Sequence, residues 1–166
     1  DGSQIEAANV IIYFAPHLET DIVEDVNGAT SIRIIANGLG TKLIVFWLAR
    51  EGTYIRESKN AKHAVDLLVT AINEMLAHDR EIRILIEPKP NEPMDQAYIP
   101  TIGHALAFAQ MTADPTRVGG LIETAHALLA GLDPSDEMAF ALSLGKLWSV
   151  HLNDQNGLKF DQDKTF

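Results

Sequence analysis

Three short stretches pair side chains whose types and spacing suit chemistry. Glu87 and Lys89 stand two apart, so in extended backbone they point the same way. Pro88 and Pro90 favour extended backbone over helix at that point. Such a pair either lies solvated on a rigid turn or serves a polar ligand together. Glu123 and His126 stand three apart. On a continuous strand they would face opposite ways. They can share a ligand only where the strand ends near Glu123 and the chain turns, which Ala127–Leu132 permits. Taken alone, Glu-x-x-His is also what a loop histidine beside an edge carboxylate looks like. Asp161 and Asp163 are again two apart, in a stretch rich in Asp, Asn and Gly. In extended backbone they can set two carboxylates on one cation, and a solvated acidic loop has the same composition. Hard cations such as Mg2+ or Mn2+ favour oxygen donors, and one imidazole moves the preference toward Mn2+ or Co2+.

The other histidines divide. His151 ends an apolar run and is followed by Asn153 and Asp154. His63 and His78 fall in a helical stretch and are expected to face water or cap its end. His104 lies in a second helical stretch and reads as a packed histidine. His17 follows an apolar run and is left open as a pocket residue.

These groups need elements to position them. Ala8–Phe14 (ANVIIYF) is β-branched and aromatic, as a buried strand should be. Lys42–Trp47 (KLIVFW), Glu81–Glu87 (EIRILIE), Val118–Glu123 and Lys146–Leu152 (KLWSVHL) read as four more strands, the fourth of the five weakened by glycine. Between them lie helical patterns at Asp21–Asn37, Asn60–His78, Pro100–Met111 and Pro134–Leu144. In the second of these, Ala64, Leu67, Leu68, Ala71, Ile72, Met75 and Leu76 make one apolar stripe. The last is entered through Asp133 or Ser135, either a good N-cap. Strands alternating with helices predict right-handed crossovers and a parallel sheet in one α/β domain over residues 1–166. In such folds the βα loops converge at the carboxyl ends of the strands. Trp47, Glu87, Glu123 and His151 all stand at those ends.

Composition narrows the function. The chain has 166 residues, 46% of them apolar and 22% charged, enough for a packed core. Thirteen basic against 23 acidic residues give a net charge of −10. That balance disfavours nucleic-acid phosphates and anionic lipid and suits cations or neutral polar solutes. The absence of cysteine excludes disulfides, thiolate metal sites and a cysteine nucleophile, and fits a reducing, cytoplasmic setting. No apolar run reaches membrane-spanning length, and the first residues, DGSQIEAAN, carry no secretory pattern.

Ile86–Pro93 (IEPKPNEP), Trp47–Gly52 (WLAREG, against W-G-G-R-E-G), Glu123–His126 and Asn153–Asp163 (NDQNGLKFDQD) together resemble the xylose isomerase family, in its order and nearly its spacing. The match runs from about Lys42 to Phe166 and more weakly through the first forty residues. The resemblance implies a (β/α)8 TIM barrel with two divalent cations, Mg2+, Mn2+ or Co2+, that interconverts aldose and ketose sugars by a hydride shift between C1 and C2. It implies that Glu87 binds the first metal and that Glu123 bridges both. His126, Asp161 and Asp163 would complete the second site. Lys89 would hydrogen-bond the substrate carbonyl oxygen, and Trp47 would wall the sugar off from water. Glu123, His126 and Lys89 are thereby the catalytic candidates.

The sequence departs from that family in two ways. His151 stands where xylose isomerases usually place an aspartate on the first metal, which is more similar to the rhamnose-isomerase branch of the superfamily. A full barrel needs about 250 residues; this chain corresponds to a five-stranded portion, about strands 3–7. The family's second-strand histidine and aspartate and its eighth-strand aspartate have no counterpart. The expectation is therefore a metal-dependent aldose–ketose isomerase of xylose or rhamnose type. The competing one is a metal- or sugar-binding fragment without complete catalytic machinery. Open sheet edges predict a homo-oligomer or association with the missing barrel segments. A DNA-repair endonuclease on the same barrel is disfavoured by the acidic charge.

Overall fold

The computed structural model describes residues 10–13, 42–47, 60–91, 97–158, 162 and 164. The helical pattern at Asp21–Asn37, His17, Asp161 and Asp163 lie outside the described residues. Five strands form one parallel sheet in the order β1-β2-β3-β4-β5: β1 Val10–Tyr13, β2 Leu43–Trp47, β3 Arg83–Glu87, β4 Val118–Glu123 and β5 Leu147–His151. Sequential order with parallel pairing is what a run of a TIM barrel produces. Four described helices accompany it: α1 Ala61–His78, α2 Ile102–Ala109, α3 Thr124–Leu129 and α4 Pro134–Ser143.

Alternation sorts each strand into two faces. Ile44, Phe46, Ile84, Ile86, Val118 and Ile122 pack with Leu68, Ile72 and Met75 of α1 and with Ile102, Leu106 and Phe108 of α2 in the main core. Val45, Leu85 and Leu121 form a second cluster, joined by Leu43 and Trp148. Glu87 follows Leu85 on that second face and Glu123 follows Leu121, so this face leads up to the polar rim.

β4 reads weakly because Gly119 and Gly120 make contacts that a side chain would obstruct. A Cβ on Gly119 would come within 2.4 Å of the Trp148 ring, and one on Gly120 within 2.4 Å of Ile102 Cδ1. The register to β5 shifts between Gly120 and Leu121, after which Glu123 pairs with His151.

Helix ends are capped as their sequences suggest. Asn60 Oδ1 accepts from the His63 N–H (3.1 Å), and Asp133 Oδ1, not Ser135, accepts at the start of α4. Arg117 seals the end of α1, donating to the carbonyls of Leu76 and Asp79 at 2.8 Å each. The Thr101 hydroxyl caps α2 and lies 2.8 Å from His104 Nδ1. His104 is exposed rather than packed, because its position turns outward while Ala105 and Leu106 take the buried face. One helix between β4 and β5 was expected; there are two. α3 begins directly after Glu123 and ends at Leu129, and the chain leaves it through Gly131, whose φ of 75° glycine adopts without strain.

Candidate metal centre

β3 ends at Glu87 and β4 at Glu123, and both carboxylates are buried at the carboxyl rim. The chain turns into α3 at once, so His126 falls in its first turn. This is the geometry that Glu-x-x-His requires to share a ligand. His126 Nε2 lies 3.2 Å from Glu123 Oε1, and its Nδ1 lies 3.4 Å from Glu87 Oε1. His151, paired with Glu123 across the sheet, brings Nδ1 to 3.7 Å from Glu123 Oε2 and 3.8 Å from Glu87 Oε2. Four residues from three strand ends thus meet within one neighbourhood.

Lys89 is also buried. Its backbone N–H donates to the Ile99 carbonyl at 3.2 Å, which ties the proline-rich segment back toward the start of α2. Its Nζ lies 4.5 Å from the centroid of the Trp47 ring. Trp47 is the register partner of Glu87, so the indole and ammonium stand beside the carboxylates. A cation over an indole face is attracted by the ring's quadrupole, and the indole also shields the ammonium from water.

Burial on its own raises the pKa of Glu123. Hydrogen bonding with the side chains of His151 and Glu87, the charge of His126 and the amide of Asn153 outweigh it and bring the carboxyl down to about 2. The site therefore favours Glu123 as a carboxylate, the form that holds a cation.

One donor atom from each of Glu87, Glu123 and His126 lies within 4.8 Å of the others. Donors sharing an ion at about 2.0–2.2 Å sit no more than about 4.4 Å apart, so small rotations close the set. Two buried carboxylates and an imidazole are also a donor chemistry that divalent cations take. The residues present fit such an ion.

Sequence reasoning does not single out Asn153 as a site residue, although it opens the Asn153–Asp163 motif. Its Nδ2 donates to Glu123 Oε1 at 2.6 Å, and its Oδ1 accepts from the Ala125 N–H at 2.9 Å. The signal that could have found it is its place two residues past His151, at the same rim as the ligand candidates.

The fold agrees with comparison to known proteins. Residues 10–164 match the family described as xylose isomerase-like TIM barrel, and the chain belongs to that family. Solved structures give the same fold. The 3-keto-D-glucoside 4-epimerase YcjR from E. coli superposes with a TM-score of 0.70 at 15% identity, covering 89% of this chain and 58% of that one. IolI protein, solved with a bound zinc atom, gives 0.69 at 18% identity, covering 96% and 56%. The probable 3-DHS dehydratase AsbF from Bacillus anthracis gives 0.69 at 16% identity, covering 92% and 52%. At these identities the likeness concerns the fold. The chain spans about half the length of the solved structures it matches. No helix among the described residues is long and apolar enough to cross a membrane.

Proposed function

We propose that this chain is part of a divalent-metal-dependent aldose–ketose isomerase acting on a small sugar. The observation that carries the reading is the convergence of Glu87, Glu123 and His126 on one buried point beside Lys89 and Trp47. Glu87, Glu123, His126 and His151, joined by Asp161 and Asp163 from further along the sequence, are the residues to hold two cations. Bound there, Mg2+, Mn2+ or Co2+ supplies Lewis-acid polarisation of the sugar's neighbouring oxygens.

The chain's own residues do the rest. Lys89 donates to the substrate carbonyl oxygen and compensates charge as it grows there. Trp47 covers the reacting carbons and excludes water, which keeps a migrating hydride from being lost. The reaction needs no external oxidant. A hydride moves from C2 to C1, the C2 hydroxyl gives up its proton as it becomes a carbonyl, and the C1 oxygen takes one up. His151 in place of an aspartate supports a rhamnose-isomerase-like variant of the same chemistry. The reading also carries residues 1–166 as one part of a barrel, a cytoplasmic setting, and assembly with further copies or barrel segments.

An aldose panel tests this, with Mg2+, Mn2+ and Co2+ supplied in turn and products resolved by chromatography. Ketose formation that disappears in Glu123→Gln supports the proposal. Epimerised aldose or ketose as the only product would replace isomerase with epimerase, the activity named for two of the structural neighbours, 3-keto-D-glucoside 4-epimerase and D-psicose 3-epimerase. Cation binding without any turnover would favour a binding fragment.

A further inference from the structure

α3 has an unusual start. It is six residues long and carries His126, yet its own N-cap residue, Glu123, supplies no side-chain cap. The Glu123 carboxylate is committed to the site instead. Short helices depend on their first-turn N–H groups being satisfied. The missing cap comes from 28 residues further along the chain. Asn153 Oδ1 accepts from the Ala125 N–H at 2.9 Å, standing where an N-cap oxygen would stand.

The other end of the same amide does a second job. Nδ2 donates to Glu123 Oε1 at 2.6 Å, the oxygen that also faces His126 Nε2. The backbone locks the residue in place. The Asn153 N–H donates to Thr124 Oγ1 at 2.9 Å, and that hydroxyl donates to the Asn153 carbonyl at 2.6 Å. The amide's orientation follows from its neighbours. Turned the other way, Oδ1 would face a carboxylate and Nδ2 would face an N–H, so both bonds would be lost.

We infer that Asn153 is a positioning residue that fixes the Glu123 carboxylate and the helix bearing His126 as one unit. The role needs an acceptor and a donor on one short side chain, which an amide has and a carboxylate lacks. Groups that hydrogen-bond to metal ligands in this way set ligand orientation and tune affinity. The inference rests on the metal-centre reading above.

Asn153→Asp separates the two jobs. It keeps the oxygen that caps α3 and removes the donor to Glu123. Asn153→Ala removes both. The probe is Co2+ alone, titrated into the full chain by calorimetry, with the visible absorption of the bound ion as a signature of its ligand geometry. Thermal unfolding of the metal-free protein reads the cap. Asn153→Asp sets a carboxylate oxygen against that of Glu123, so it is expected to lower the metal-free melting midpoint by like-charge repulsion while keeping the α3 cap, to weaken Co2+ binding by about 10–100-fold, and to change the absorption envelope. Asn153→Ala is expected to show the same loss together with a lower midpoint. Wild-type affinity and spectrum in Asn153→Asp, or tighter binding, overturns the positioning role and leaves the metal centre standing. So does an Asn153→Ala protein that melts early but binds as wild type. Wild-type chain that takes up no Co2+ overturns both readings.

Discussion

Each rim of the sheet carries a tryptophan beside a cation, and the two pairs are built differently. At the amino rim, the guanidinium of Arg83 lies 3.8 Å from the centroid of the Trp148 ring, and Lys146 Nζ lies 5.3 Å from it. Arg83 is exposed, and Lys146 donates to the backbone carbonyls of Pro115 and Val118. Burial lowers the Lys146 pKa, and the neighbouring Arg83 charge lowers it further. These groups are answered by solvent and by the backbone that they brace. At the carboxyl rim, Lys89 and Glu87 are each only 5% exposed; Lys89 lies over the Trp47 ring, and Glu87 faces the imidazoles of His126 and His151. Buried charge turned toward other charge adds little stability, since apolar residues of similar volume often serve as well or better. The amino rim reads as architecture, and the carboxyl rim carries the chemistry proposed above.

Substitutions at the two rims should part company in what they change. The largest effect is expected from Glu123→Gln. It removes a charged donor from the proposed cation site and should weaken Co2+ binding by more than about 100-fold, beyond the range for an outer-sphere partner. Calorimetric titration reads it, and retained affinity would break the contrast outright. Lys89→Met comes next. It should leave Co2+ affinity near wild type while kcat for ketose formation falls by about 100- to 1,000-fold, as for loss of one preorganised donor. If the variant loses cation binding instead, Lys89 belongs to the scaffold.

At the other rim, Gly119→Ala forces a methyl against the Trp148 ring. Overpacking of this kind costs about 1–3 kcal/mol. Thermal or denaturant unfolding should register that loss while Co2+ affinity stays put. Smallest is Arg83→Met, which gives up an exposed cation–π contact of about 0.5–1 kcal/mol. An amino-rim change that alters cation affinity as much as stability would show that the division between rims is too sharp.

Much of this was legible in the chain itself. Apolar runs at β2, β3 and β5 and the stripe of α1 announce themselves because buried strands and amphipathic helices have distinct periods. Glu87, Lys89, Glu123 and His126 could be singled out because the ends of parallel strands are where such residues gather. α3 could not be foreseen, since six residues are too few to display a helical period. The exposure of His104 depended on which face of α2 meets the sheet. Asn153 escaped notice for a different reason. Its two partners lie on either side of the β4–α3 junction, and only the pairing of β4 with β5 brings them within reach.

The paired glycines of β4 carry a consequence for how this fold tolerates change. With Gly119 against the Trp148 ring and Gly120 against Ile102, the wall between the two packed layers is there a single bare backbone thick. Volume gained on either side has nowhere to go except into its opposite number. Positions 102, 119, 120 and 148 should therefore vary as a set. A library randomising them independently would yield few folded members, whereas one that trades bulk between them would recover many more.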